Sequence, residues 1–456
     1  MNFLRSFVSS FIILGFVSVG SAQENNELIR LSISEAQTYA LQNNRAVQSA
    51  KIEIDITGKK VWETLAIGLP QVSFAANYLH QFRVPVLSFG PFLDINSLPD
   101  GPITRDDLAN AYVDSPPISL GVKNNTTLDF TISQLIFSGE YLVGLQATKV
   151  LRQVSDKTLV KTEDQTKESV AGTYYLILVL DENIRLLAES VKAVDKTYND
   201  MLEMSKEGLI EESDIDQITI NKSNIKTLLN SLTAQKEISL KLLKFQLGME
   251  FEQKIELIDS IPGIIAPDNL SLPAQDFDVR NSIDFQLISI QERVTELMLK
   301  REKSKFLPTL SAFYRHQEQT NQPSFNFAVK DVLGASLSFP ILTSGMQSAK
   351  VSQAKFNLQK IRLAKTDAEQ GLVMEYESAK SDYQTAYSNY TTNRESMDLS
   401  KNVYDKTIIK YTEGVASSLD LAQSQNQFLT AESNYYNALL TLLYAKAKLD
   451  RILKIN

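Results

Sequence analysis

Asp214 follows Gly208 by six residues, and Asp420 follows Gly414 by six. Glu211, Glu212 and Asp216 surround the first of these acids, and Gln423 stands three residues after the second. Carboxylates so close behind a glycine turn can do two kinds of chemistry. On the first turn of a helix they satisfy free amides and complement the helix dipole. Repeated around an axis, they concentrate negative charge and draw in cations. Both readings stand for Asp214 and Asp420.

Other chemistry is thinly represented. There are no cysteines and only two histidines, His80 and His316, which argues against a thiolate or histidine metal site, a disulfide framework or a catalytic triad. Each histidine falls on a strand-like segment and reads as interfacial or loop-facing. Gly139 and Gly144 have phosphate-loop spacing, but Leu145 and Gln146 follow where Lys and Ser/Thr are required. Neither a nucleophile elbow nor a zinc motif occurs. No enzyme activity, metal or cofactor is expected, and the formal charge of −8 argues against nucleic acid as a partner.

Which elements could position such acids follows from the ends and the prolines. Arg5, an apolar run from Phe7 to Val19 and small residues at Gly20, Ser21 and Ala22 predict a signal peptide over 1–22. Its apolar core is shorter than the roughly 20 residues that span a bilayer as a helix. No later segment reaches that length, so entry into a membrane would have to be as β-structure. All 13 prolines lie in 70–117, 262–273 and 308–340. Proline inside a helix costs about 3 kcal/mol, so the runs Ile118–Ile261 and Ile341–Asn456 are where long helices belong.

Each of those helices is preceded by strands. Leu128, Phe130 and Ile132 alternate with polar residues before Ser138-Gly139, as Leu333, Leu337 and Phe339 do before Ser344-Gly345. Leu69-Pro70 leads into Val72, Phe74, Ala76 and Tyr78, and Leu307-Pro308 into Leu310, Ala312 and Tyr314. Four strands of about ten residues suit a transmembrane β-barrel, and Trp62, near the first helix-to-strand crossover, reads as packing. An offset of 206 relates Gly139 to Gly345, Gly208 to Gly414 and Asp214 to Asp420, which predicts an internal two-fold repeat. Pro70 and Pro308 are 238 apart, so 32 extra residues lie between Pro70 and Gly139, and 83–125 is read as a long external loop.

Val170, Ile177, Ile184, Val191 and Tyr198 repeat at seven, as do Tyr376, Tyr383, Tyr390, Met397 and Tyr404, and again Leu421, Phe428, Tyr435, Leu442 and Leu449. Such repeats predict coiled-coil hairpins turning at Gly208 and Gly414. The expected organisation is a helical segment over 23–69, strands with their loop over 70–138 and a hairpin over 139–249. A linker over 250–281, a short helix over 282–307, strands over 308–343 and a second hairpin over 344–456 complete it. The fold class is α+β, four strands contributed to a shared barrel plus long hairpins. Four strands cannot close alone, since open edges would leave unpaired amides and carbonyls in hydrocarbon. Two, three or four copies would give 8, 12 or 16 strands.

The segment from Leu31 to Asn44, with Ser32, Glu35, Ala36, Ala40 and Asn44 in place, resembles the opening helix of TolC-like outer membrane efflux proteins. The two Leu-Pro strand starts, the two Ser-Gly junctions and the two glycine-to-aspartate hairpin tips fall in the family's order. Arg45 stands where the family often has proline. The resemblance implies a homotrimer with a 12-stranded barrel in the Gram-negative outer membrane above a periplasmic helical tunnel. It implies a periplasmic adaptor at the hairpin tips and an energised inner-membrane pump or exporter. By the same resemblance Asp420 and Gln423 would ring a periplasmic constriction, and Gly208, Leu209, Gly414 and Val415 would meet the adaptor. Ala416 replaces a basic residue that tethers the closed tip in some members. The competing reading is a coiled-coil adaptor or envelope spacer without a pore; two hairpins between two strand pairs favour the channel.

Overall fold

The computed structural model describes residues 28–114, 116–208, 210–266, 270, 277–322, 326 and 328–454. The expected signal peptide and Leu209 lie outside the described residues. In chain order the elements begin with β1 (Ile29–Leu31), α1 (Ile33–Asn43), α2 (Arg45–Ala66), β2 (Gln71–His80), β3 (Val86–Leu87) and β4 (Phe92–Leu93). Next come α3 (Arg105–Asn110), β5 (Tyr112–Val113), β6 (Ile118–Ser119), β7 (Asn124–Ser138), α4 (Gly139–Lys206) and α5 (Glu212–Leu247). The rest are β8 (Ile255–Leu257), α6 (Ile261–Ile264), α7 (Ile283–Ser304), β9 (Thr309–Gln319), β10 (Asp331–Ser338), α8 (Met346–Thr412) and α9 (Ser418–Leu453). The proline-free runs hold α4 and α8, of 68 and 67 residues. They also hold α5 and α9, of 36 residues each. The chain divides into two compact units.

One unit comprises Arg45–Gln165, Pro273–Tyr387 and Ala445–Asn456. It contains a four-stranded antiparallel sheet in the order β10-β9-β7-β2. Register puts Phe74 opposite Phe130, Phe130 opposite His316, and Tyr314 opposite Leu333. With side chains alternating, one face therefore carries Val72, Phe74, Tyr78, Ile132, Leu333 and Leu337. The other carries Ser73, Asn77, Asp129, Thr131, Arg315, Gln317 and Ser336. On the edge strands the apolar face is bare: Phe74 is 67% and Leu333 82% exposed. Strand β10 ends at Ser338, one residue before the expected Phe339, which precedes Pro340 and lies outside the ladder.

The stretch read as a long external loop, 83–125, carries short elements of its own. β3 pairs with β6 and β4 with β5, both antiparallel, and α3 is closed by a capping box of Thr104 and Asp107. Asn124 and Asn125 already belong to β7. Ladders of two residues leave no sustained period in the sequence, which hid them. Trp62, read as packing, is 61% exposed on α2 within the single chain. In the same unit Glu292 of α7 accepts from Arg362 at 2.9 Å and Lys365 at 3.0 Å of α8. Those bonds, Lys365's first, hold its carboxyl below the usual range. This contribution is present at neutral pH and lost as pH falls through the depressed value.

The second unit comprises residues up to Asn44, Thr166–Leu272 and Ser388–Tyr444. β1 and β8 pair in parallel, and Ser32 with Glu35 forms the expected capping box at α1. The buried Tyr174 hydroxyl donates to the Leu31 carbonyl at 2.9 Å. Leu31, Ala36, Ala40, Val170, Ile177, Leu243 and Leu247 close a core around it. Along α4 the seam is wider than the single stripe visible in the sequence. Val170 and Ile177 are buried, and so are Thr173, Leu180, Leu187, Val194 and Met201, three residues further on in each heptad. Alternate steps of three and four place both stripes on one face. Leu187, Val194 and Met201 pack with Ile218 and Ile225 of α5.

Candidate functional site at the helical hairpin tips

Both hairpins turn on a glycine in left-handed conformation, Gly208 at φ 73° and Gly414 at φ 70°. A side chain there would be strained, which is why the turn needs glycine. After Gly414 the amides of Val415 and Ala416 donate to the Lys410 carbonyl at 2.8 and 3.2 Å, closing the end of α8. Val415 is left 77% exposed at the apex.

Asp420 sits in the first turn of α9 and makes a capping box with Ser417. Its Oδ2 accepts from the Ser417 amide at 2.9 Å and from the Ser417 hydroxyl at 2.7 Å, and its own amide donates back to Ser417 Oγ at 3.1 Å. The bond from the Ser417 amide, then that from its hydroxyl, lowers the pKa of the carboxyl. The side chain is exposed, as is Gln423 one turn on. At the first tip, 206 residues earlier, the Glu211 amide donates to Asp214 Oδ2 at 3.3 Å in the same way. Glu211, Glu212 and Asp216 are exposed, whereas Asp214 is half-buried.

Asp214 is half-buried for a reason invisible locally: Ser418 Oγ donates to its Oδ1. That bond ties the first turn of α5 to the first turn of α9. One heptad further along each helix a second tie is fully buried, Asn221 Nδ2 donating to Gln425 Oε1 at 2.7 Å. Among the described residues, Asn221 Oδ1 and Gln425 Nε2 have no partner. Burial, and then the charges of Asp214 and Asp200, raise the pKa of Tyr411, whose hydroxyl is also without a partner among the described residues. The ties were missed from sequence because their partners lie 204 residues apart. A polar residue at a buried heptad position was the available signal.

Elsewhere, Gly139 and Gly144 both lie within α4, so they form no loop that could cradle phosphate. His80 Nδ1 lies 2.6 Å from Asn124 Oδ1, and His316 Nδ1 lies 2.7 Å from Asp331 Oδ1. No group of three or more His, Asp or Glu placed to hold a metal ion occurs among the described residues.

The family model for outer membrane efflux proteins matches residues 288–453. No curated protein sequence matches the chain. Among solved structures, CusC superposes with a TM-score of 0.72 at 12% identity, over 93% of this chain and 92% of that one. The CmeC outer membrane channel of Campylobacter jejuni gives 0.69 at 16%, over 92% of this chain and 85% of that one. The open state of the MtrE outer membrane channel of Neisseria gonorrhoeae gives 0.70 at 15%, over 92% and 88%. Residues 288–453 are thus similar in sequence to the outer membrane efflux protein family, and the chain as a whole has the fold seen in these outer-membrane channels.

Proposed function

We propose that the protein is a passive exit duct of the Gram-negative outer membrane, serving efflux or secretion as a homotrimer. The observation that carries this reading is the four-stranded sheet, with its apolar face bare on the edge strands and both edges, β2 and β10, unpaired among the described residues. Each backbone group left unpaired in hydrocarbon costs several kcal/mol. Pairing β10 of one copy with β2 of the next removes that cost all round, and three copies give 12 strands. The polar face with Asp129 and Arg315 then lines the lumen, and Val72, Phe74, Leu333 and Leu337 face lipid. Exposed apolar residues on the helices support further burial between copies, among them Trp62 of α2, Phe245 of α5 and Phe356 of α8.

In this reading the hairpins stand in the periplasm, with Asp420 and Gln423 around the constriction. Gly208, Leu209, Gly414 and Val415 meet a periplasmic adaptor, and an inner-membrane pump or exporter supplies the energy. Glu211, Glu212, Asp214 and Asp216 form a second acidic collar at the first tip. Native mass spectrometry of the outer-membrane extract in detergent tests the assembly. A trimer is expected; a stable monomer sinks the shared barrel.

A further inference from the structure

Glu432 of α9 is 1% exposed, and among the described residues its Oε1 has no hydrogen-bond partner. It continues the heptad series Gln425, Glu432, Leu439, all buried. A carboxyl in such a place is costly when ionised and tolerable when neutral. Its surroundings do little to neutralise it. From α4 it faces Glu182 and Glu189, whose charges oppose its ionisation. Arg185, between them, is already committed to both, through Glu182 at 2.5 Å and Glu189 at 2.9 Å. From α8 the charge of Lys401 favours ionisation, while Arg394 and Asp398 act on the neighbouring Tyr435. On its own helix Tyr435 and Tyr436 are buried beside it.

Glu432 also divides α9 into unequal parts. Beyond it, Tyr435, Tyr436, Leu439, Leu442 and Leu443 are buried and largely apolar. Towards the tip the seam includes the Ser418 and Gln425 ties, with Leu421 and Ala422 buried and Phe428, stacked on Tyr404, and Leu429 partly buried. We propose that Glu432 is a proton-operated pin: protonated, it lets α9 stay seated against α4 and α8, and ionised, it releases residues 418–432.

Burial pushes the carboxyl up to about 7, with Lys401 opposing the rise and Glu182 and Glu189 adding to it. A raised value in the folded chain means stability that is complete below the ordinary glutamate range and is lost as pH rises through about 7. The pin therefore holds under mildly acidic conditions and slackens under alkaline ones. It requires no pore and would operate in a chain that conducts nothing.

Hydrogen-exchange mass spectrometry on the full chain in detergent, corrected for intrinsic rates, reads it directly. Between pH 5.5 and 8.5, amides in 418–432 should open more often by roughly thirtyfold, the rise levelling off near 7. Amides in 435–443 should change little. Glu432→Gln should stay protected at both pH values, and Lys401→Met, at an exposed position, should move the levelling-off to higher pH. Equal protection of the native chain at both pH values overturns the pin. So does an unchanged pH profile in both variants, which would assign the transition to another group.

Discussion

Replacing Gln425 by methionine, a near-isosteric change, removes the acceptor for Asn221 Nδ2 at a site where Gln425 is 1% and Asn221 3% exposed. The Asn221 amide is then buried with neither end paired, since its Oδ1 lacks a partner already. Leaving such a group unsatisfied costs about 1–3 kcal/mol, or roughly a fivefold to hundredfold rise in local opening of α5 and α9. Converting both residues, Asn221→Leu with Gln425→Met, removes the orphaned amide and leaves an apolar contact. The pair should then be tighter than either single variant, with a coupling of about 1–2 kcal/mol. Hydrogen exchange of peptides from 215–228 and 418–430 at pH 5.5, where Glu432 is protonated, measures all four corners of the cycle. Additive effects, or a neutral single variant, would refute the claim that this buried bond holds the two hairpins together.

Three further outcomes follow from the tips and the sheet. Asp420→Ala should weaken multivalent-cation block and cation selectivity in planar bilayers; if both persist, Asp420 serves only its capping box with Ser417. Ser418→Ala should loosen the first turns of α5 and α9 together, by about 1.5–3 kcal/mol for a lost bond to a carboxylate, seen as faster exchange at both tips. A short epitope inserted at the exposed Gly101 should be labelled on intact cells, whereas labelling only after permeabilisation would invert the assigned topology.

What could be read along the chain was local physics. Proline's missing amide and fixed φ bounded the long helices at once, because that penalty does not depend on the rest of the fold. The turns at Gly208 and Gly414 were legible because left-handed backbone selects glycine wherever it occurs, and the Ser32 and Glu35 capping box because its partners are three residues apart. Alternation in β2, β7, β9 and β10 was legible for the same reason, since a strand's two faces are written in consecutive residues. The small ladders β3/β6 and β4/β5 escaped because two-residue strands carry no period.

The site itself was decided by tertiary structure. Sequence set Asp214 and Asp420 at matching positions of the repeat, and the resemblance put Asp420 at the constriction; packing of α5 against α9 gave Asp214 the Ser418 hydroxyl and left Asp420 exposed on its own cap. The heptad through Val170 was visible, yet its companion stripe through Leu187 and Met201 became a core only when Ile218 and Ile225 met it. Glu432 reads in the chain as one more surface acid between Ala431 and Ser433. Its burial beside Glu182 and Glu189 arises from residues more than two hundred positions away, and neither period nor propensity carries information over that separation.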